Sequence, residues 1–279
     1  MNASPGPNLS WRTVGLRVAV FICFAIIGAY LSVILPVQGA LPRSVMLTFV
    51  SGALANAVTV RMFESGRFSD FGLGWDADAG RDLLRGLGYG AAAAAGVVAM
   101  MLALNWAHFE PAPSDSAVAS VLTSALLFFG AAGEEMMFHG YAFRLLVRYL
   151  GAFATILPIG VVFGLMHMSN QNSTMLGVVN TILWGILLGY ACYHSAALWL
   201  PIGMHFGWNV VLPLVGANLS GFTMRVTGYA LHPTAGVLLS GGAYGPEGSV
   251  LTTAAAAVLF WTVGRTRSAA EEEPFGRAA

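Results

Sequence analysis

Apolar residues in this chain fall in long blocks, with the polar residues gathered between them. Eight blocks, near 16–36, 44–63, 86–107, 117–143, 153–169, 174–193, 196–215 and 249–264, approach the roughly 20 residues of a helix that crosses a bilayer. The longest charge-free run, 149–224, holds no Asp, Glu, Lys or Arg over 76 residues, enough for three such helices. In lipid every backbone N–H and C=O must find its partner inside the protein, so spans are either helices or closed barrels. The alternation of a barrel strand is absent. The pattern therefore predicts an all-α integral membrane protein, a polytopic bundle of about eight transmembrane helices forming a single membrane domain over 1–279.

Composition supports that reading. The chain is 57% hydrophobic and 9% charged, where a soluble domain carries about 25% charged residues, too few here to cover a soluble surface. Net charge is zero, which gives nucleic acid no electrostatic handle. Cys23 and Cys192 both fall in apolar blocks and read as small hydrophobes, with no disulfide framework. All 13 basic residues are Arg, a coding bias expected of a GC-rich bacterium, which places the protein as a multi-pass cell-membrane protein. The apolar part of the first block is longer than a signal-peptide core, so an uncleaved anchor is expected.

Arginine placement sets the orientation. With the N-terminus inside, the inner segments hold Arg12, Arg17, Arg61, Arg67, Arg81, Arg85, Arg144, Arg148, Arg265, Arg267 and Arg277, and the outer ones only Arg43 and Arg225. The positive-inside rule then puts both termini in the cytoplasm. The charged connector 64–85, around Phe71 and Trp75, is expected along the cytoplasmic membrane surface, 216–248 as the longest outer loop, and 265–279, with Glu271 to Glu273, as a disordered tail.

Against this background the ionisable groups inside the blocks stand out, because each costs on the order of 2.5–3.5 kcal/mol to insert. They are Glu134, Glu135 and His139 in the fourth block, His167 in the fifth, and His205 with Asn209 in the seventh. At 1.5 Å per residue Glu134 lies about 15 Å from the Arg144 edge, His205 about 14 Å from Ala196 and His167 about 21 Å from Phe153, so all three can meet in one layer. Glu135 and His139 share a face at i,i+4, as do Phe163 with His167 and His205 with Asn209. Glu134 lies about 100° round the helix, free to face a cavity while His139 holds Glu135. Gly130 to Gly133 would let a neighbouring helix come close. A lone intramembrane histidine most often serves helix–helix hydrogen bonding. Two adjacent acids at mid-membrane exceed what such a role needs. His108, His194 and His232 lie at block ends or in loops and carry no assigned chemistry.

These residues resemble the CPBP family of intramembrane proteases, which includes CAAX prenyl endopeptidases and bacteriocin-immunity membrane proteins. The family motifs Glu-Glu-x-x-x-Arg, Phe-x-x-x-His and His-x-x-x-Asn appear in order as Glu134-Glu135 with His139 at the Arg position, Phe163 to His167, and His205 to Asn209, within a motif core of 117–215. The stretches Asp70 to Trp75 and Gly241 to Ser249 also look like bacterial members. The resemblance implies an endopeptidase acting on a membrane-embedded or lipidated protein or peptide. Glu134 would be general base on a water shared with His167, while His205 and Asn209 hold the oxyanion. Glu135 completes the catalytic set, with His139 and Phe163 supporting it. Zinc on Glu134, His167 and His205 and a metal-free glutamate mechanism are competing expectations, since no His-Glu-x-x-His motif occurs. A histidine in place of the family Arg, with an ordinary pKa near 6.5, predicts activity or stability that falls as pH rises through its titration. The alternatives are a non-catalytic membrane partner or immunity protein using the same cavity, and a small transporter, which the lack of an inverted repeat disfavours.

Overall fold

A computed structural model describes residues 10–265. Arg267, Arg277 and all of the predicted tail beyond Arg265 lie outside the described residues.

The chain forms α1 (Trp11–Val33), α2 (Ala40–Phe63), α3 (Ala79–Ala103), β1 (Ala107–Pro111), α4 (Ala117–His139), α5 (Tyr141–Leu150), α6 (Ala152–Met166), α7 (Met175–Ser195), α8 (Trp199–Leu214), β2 (Tyr229–Pro233), α9 (Val237–Ser240) and α10 (Val250–Arg265). The fold is an all-α polytopic membrane bundle. Each predicted block holds a helix. Helices α1, α2, α3 and α7 and the stretch Ala117–Leu150 are long and apolar enough to cross a membrane. Helices α6, α8 and α10 have 15, 16 and 16 residues, about 22–24 Å, short of a hydrocarbon core of about 30 Å.

Close crossings hold the bundle. Helices α3 and α8 interlock through four glycines. A Cβ on Gly86, Gly90, Gly203 or Gly207 would overlap a backbone carbonyl of the opposite helix. The small residues before Glu134 act as expected, since a Cβ on Gly133 would sit 2.7 Å from Phe49 Cα of α2. Such backbone approach is how membrane helices associate when lipid removes the usual hydrophobic drive.

Four features depart from the sequence expectation. The fourth block is broken at Gly140, because buried Asn56 of α2 enters its hydrogen-bond ladder. Asn56 Nδ2 donates to Met136 O at 2.8 Å, and its Oδ1 accepts from Tyr141 N at 2.8 Å. The chain resumes as the separate helix α5. Helix α6 stops at Met166, so His167 caps the helix instead of lying within it. The polar run Ser169 to Thr174 makes tight turns, with Asn172 at φ +55°, and Thr174 Oγ1 caps α7. The connector, expected along the membrane surface, docks on protein: Leu198 N donates to Gly72 O at 2.8 Å and Trp199 Nε1 to Gly74 O at 2.8 Å. Finally, β1 and β2 pair antiparallel, with His108 opposite His232, as a small ribbon between the α3–α4 and α8–α9 connections.

Candidate active site

Helices α4, α6, α7 and α8 and the loop 215–249 enclose a cavity of about 150 Å³, lined by Glu134, Phe163, His167, His205, Asn209 and Glu247 among others. That is room for several waters. The two adjacent acids divide as their spacing predicts. Glu135 is fully buried and accepts from His139 Nδ1 at 2.7 Å. Glu134 points into the cavity, where its Oε2 has no hydrogen-bond partner. It lies 3.7 Å from His167 Nε2 and 3.9 Å from His205 Nε2. Those separations are too long for direct hydrogen bonds and are the kind a water bridges.

Both imidazoles are fixed from behind. His167 Nδ1 lies 2.8 Å from Phe163 O, four residues back on α6. A carbonyl can only accept, so Nδ1 carries the proton and, in the neutral ring, Nε2 presents its lone pair to the cavity. Phe163 is buried, with its ring 4.8 Å from His167 and 6.1 Å from His205. Its backbone and its side chain therefore both position histidines. His205 Nδ1 lies 2.8 Å from Glu135 Oε1. Sequence spacing predicts the Glu135–His139 pair but is silent on this second bond, which joins residues 70 positions apart. Through it, Glu135 aims the Nε2 of His205 at the cavity. Asn209 shares that wall one turn further along α8.

Glu247 is a site residue that sequence reasoning places only in a loop. Its Oε2 accepts from Ser220 N and Oγ, and its Oε1 from Trp208 Nε1 at 3.3 Å. Burial pushes this carboxyl up, and the bonds from Ser220 and Trp208 pull it back. The backbone around it is tied to α7, where Asn180 Nδ2 donates to Glu247 O at 2.7 Å and Ser249 O at 2.9 Å. Gly241 and Gly245, at φ +76° and +104°, allow the tight winding. Irregular backbone inside a membrane protein persists where it is buried in protein or lines a cavity. The usable signal was the Gly-rich Gly241–Ser249 stretch.

The donors suit zinc in kind, two imidazole nitrogens and a carboxylate oxygen. Yet among the described residues no three His, Cys, Asp or Glu side chains converge closely enough to hold an ion.

Residues 116–211 match the family described as Type II CAAX prenyl endopeptidase Rce1-like. Over this stretch the chain is similar to the CPBP membrane proteases. The matched region runs from the N-cap of α4 into α8 and contains Glu134, Glu135, His139, Phe163, His167, His205 and Asn209. Glu247 and most of the loop 215–249 lie beyond it. No curated protein and no solved structure matches the chain.

Proposed function

We propose that this protein is an intramembrane endopeptidase that hydrolyses a peptide bond of a membrane-associated or lipidated protein or peptide by water activated on Glu134. One observation carries the reading: a carboxylate oxygen without a partner faces two imidazole Nε2 atoms across water-bridging distances. A group positioned only for structure would be paired, as Glu135 is.

A water between Glu134 and His167 gives its proton to Glu134, with the lone-pair Nε2 of His167 orienting it. The resulting hydroxide attacks the scissile carbonyl carbon, and the carbonyl π pair moves to oxygen. The Asn209 amide, joined by Nε2–H of His205 when that ring carries both protons, donates to the oxyanion. Glu134 then returns its proton to the amide nitrogen, the C–N bond breaks, and an acid and an amine leave. One water is consumed. Glu135 keeps His205 in register and touches no reacting atom. These steps use side chains alone, and zinc held by Glu134, His167 and His205 is the competing route.

The test is Glu134→Gln in reconstituted membranes, with cleavage read as new N-termini in the membrane proteome. Loss of a general base typically costs 10²–10⁴-fold, and the same variant should unfold at the wild-type temperature. Undiminished cleavage would refute the mechanism. Retained binding of a membrane partner, with no cleavage by wild type either, would favour the non-catalytic partner reading. A chelator that abolishes wild-type cleavage, restored by added zinc, would show that the side-chain route is incomplete.

A further inference from the structure

The cavity lies toward one face of the bundle, and this limits the side from which a chain can reach it. We propose that the site is entered from the non-cytoplasmic face, so that its substrate is the outward, membrane-proximal segment of an anchored protein or peptide. This rests on the endopeptidase reading above.

The rim of the cavity is built from Leu41 and Ser44 at the start of α2, Asn170 in the α6–α7 turn, and Phe222 and Met224 of the α8–α10 loop. Helix order puts all of these at the same end of the bundle, since α6 and α8 run toward it and α2 and α10 run away. The opposite end is closed. Glu135 and His139 are wholly buried beneath Glu134, and α5 seals the base with buried Tyr141, Phe143 and Leu145. Arginines then label the two ends. Among the described residues Arg12, Arg17, Arg61, Arg67, Arg81, Arg85, Arg144, Arg148 and Arg265 stand at the closed end, and only Arg43 and Arg225 at the rim end. By the positive-inside rule the closed end is cytoplasmic.

The walls also bear on the chemistry of the occupant. Glu134 and Glu247 line the cavity, and among the described residues no arginine does so. A free C-terminal carboxylate would meet two acids and no permanent cation, which favours an internal segment over a chain end. Leu41, Val45, Phe222 and Met224 give the entrance an apolar character suited to sequence emerging from the bilayer.

Two measurements test this independently. In a Cys23→Ala background, Ser44→Cys at the rim and Ser69→Cys on the connector, both exposed positions, are challenged with a membrane-impermeant maleimide in intact cells. Ser44→Cys should label at once, and Ser69→Cys only after permeabilisation. The reverse pattern overturns the proposal. Second, new N-termini present with wild type and lost with Glu134→Gln are mapped onto substrate topology. They should lie on the outer side close to a span, and cytoplasmic sites would overturn the proposal even with the expected labelling. If no cleavage depends on Glu134, the endopeptidase reading fails, while the labelling still decides from which side the cavity opens.

Discussion

Glu134 and Glu135 are neighbours in sequence and opposites in circumstance. Glu135 lies in a closed layer, wholly buried, with one oxygen on His139 and the other on His205. Glu134, about 100° round the same helix, lies in an open layer with an unpartnered oxygen and two imidazoles just out of reach. A buried charge whose lone pairs are filled stabilises geometry. One that is left unfilled beside a water-sized space is available for chemistry. The same element thus separates a paired carboxylate from an unpaired one by rotation alone.

The comparison can be broken from either side. The largest effect should come from Glu134→Gln, a loss of 10²–10⁴-fold in turnover, about 2.7–5.5 kcal/mol of barrier, with melting in detergent unchanged. Glu135→Ala should do the reverse first. Removing one partner of a buried ionic cluster costs about 3–5 kcal/mol of stability, read as a lowered Tm, and activity falls because His205 loses its orientation. If Glu135→Ala proved as stable as wild type, the distinction between the layers would be wrong. Glu247→Gln sits between them. Its amide would oppose the Trp208 Nε1–H that the carboxylate now accepts, so a loss of about 1–3 kcal/mol in stability is expected, with a raised KM and a smaller change in kcat as the cavity wall loosens. Equal loss in kcat would instead put Glu247 among the reacting groups. His139→Arg sharpens the comparison further, since a longer side chain at this fully buried position against Gly189 should lower Tm. An unchanged Tm would count against a closed layer. The smallest effect belongs to His108→Ala on the exposed ribbon, within about 0.5 kcal/mol of wild type and with full activity.

Much of this was legible in the chain. The eight blocks became helices because charge-free stretches in lipid have no other backbone solution. The i,i+4 pairs Glu135–His139 and Phe163–His167 could be read because spacing on one helix fixes a face. What escaped depends on residues remote in sequence. Nothing near Gly140 announces the break in the fourth block, because the side chain that causes it belongs to Asn56. The bond from His205 to Glu135 joins two blocks whose relative rotation no periodicity sets. Glu247 looked like an ordinary loop acid because its partners, Ser220, Trp208 and Asn180, come from three separate stretches. The β1–β2 ribbon escaped for a related reason, its strands being five residues each and more than a hundred positions apart.

The glycine interlock of α3 and α8 has a mechanical consequence. Helix α8 is keyed at four points to a 25-residue partner, so sliding or turning it would drive backbone into backbone. His205 and Asn209 therefore ride on a fixed rail. Whatever breathing admits a substrate has to come from the other wall, where short α6 ends in His167 and the outer loop hangs on Glu247.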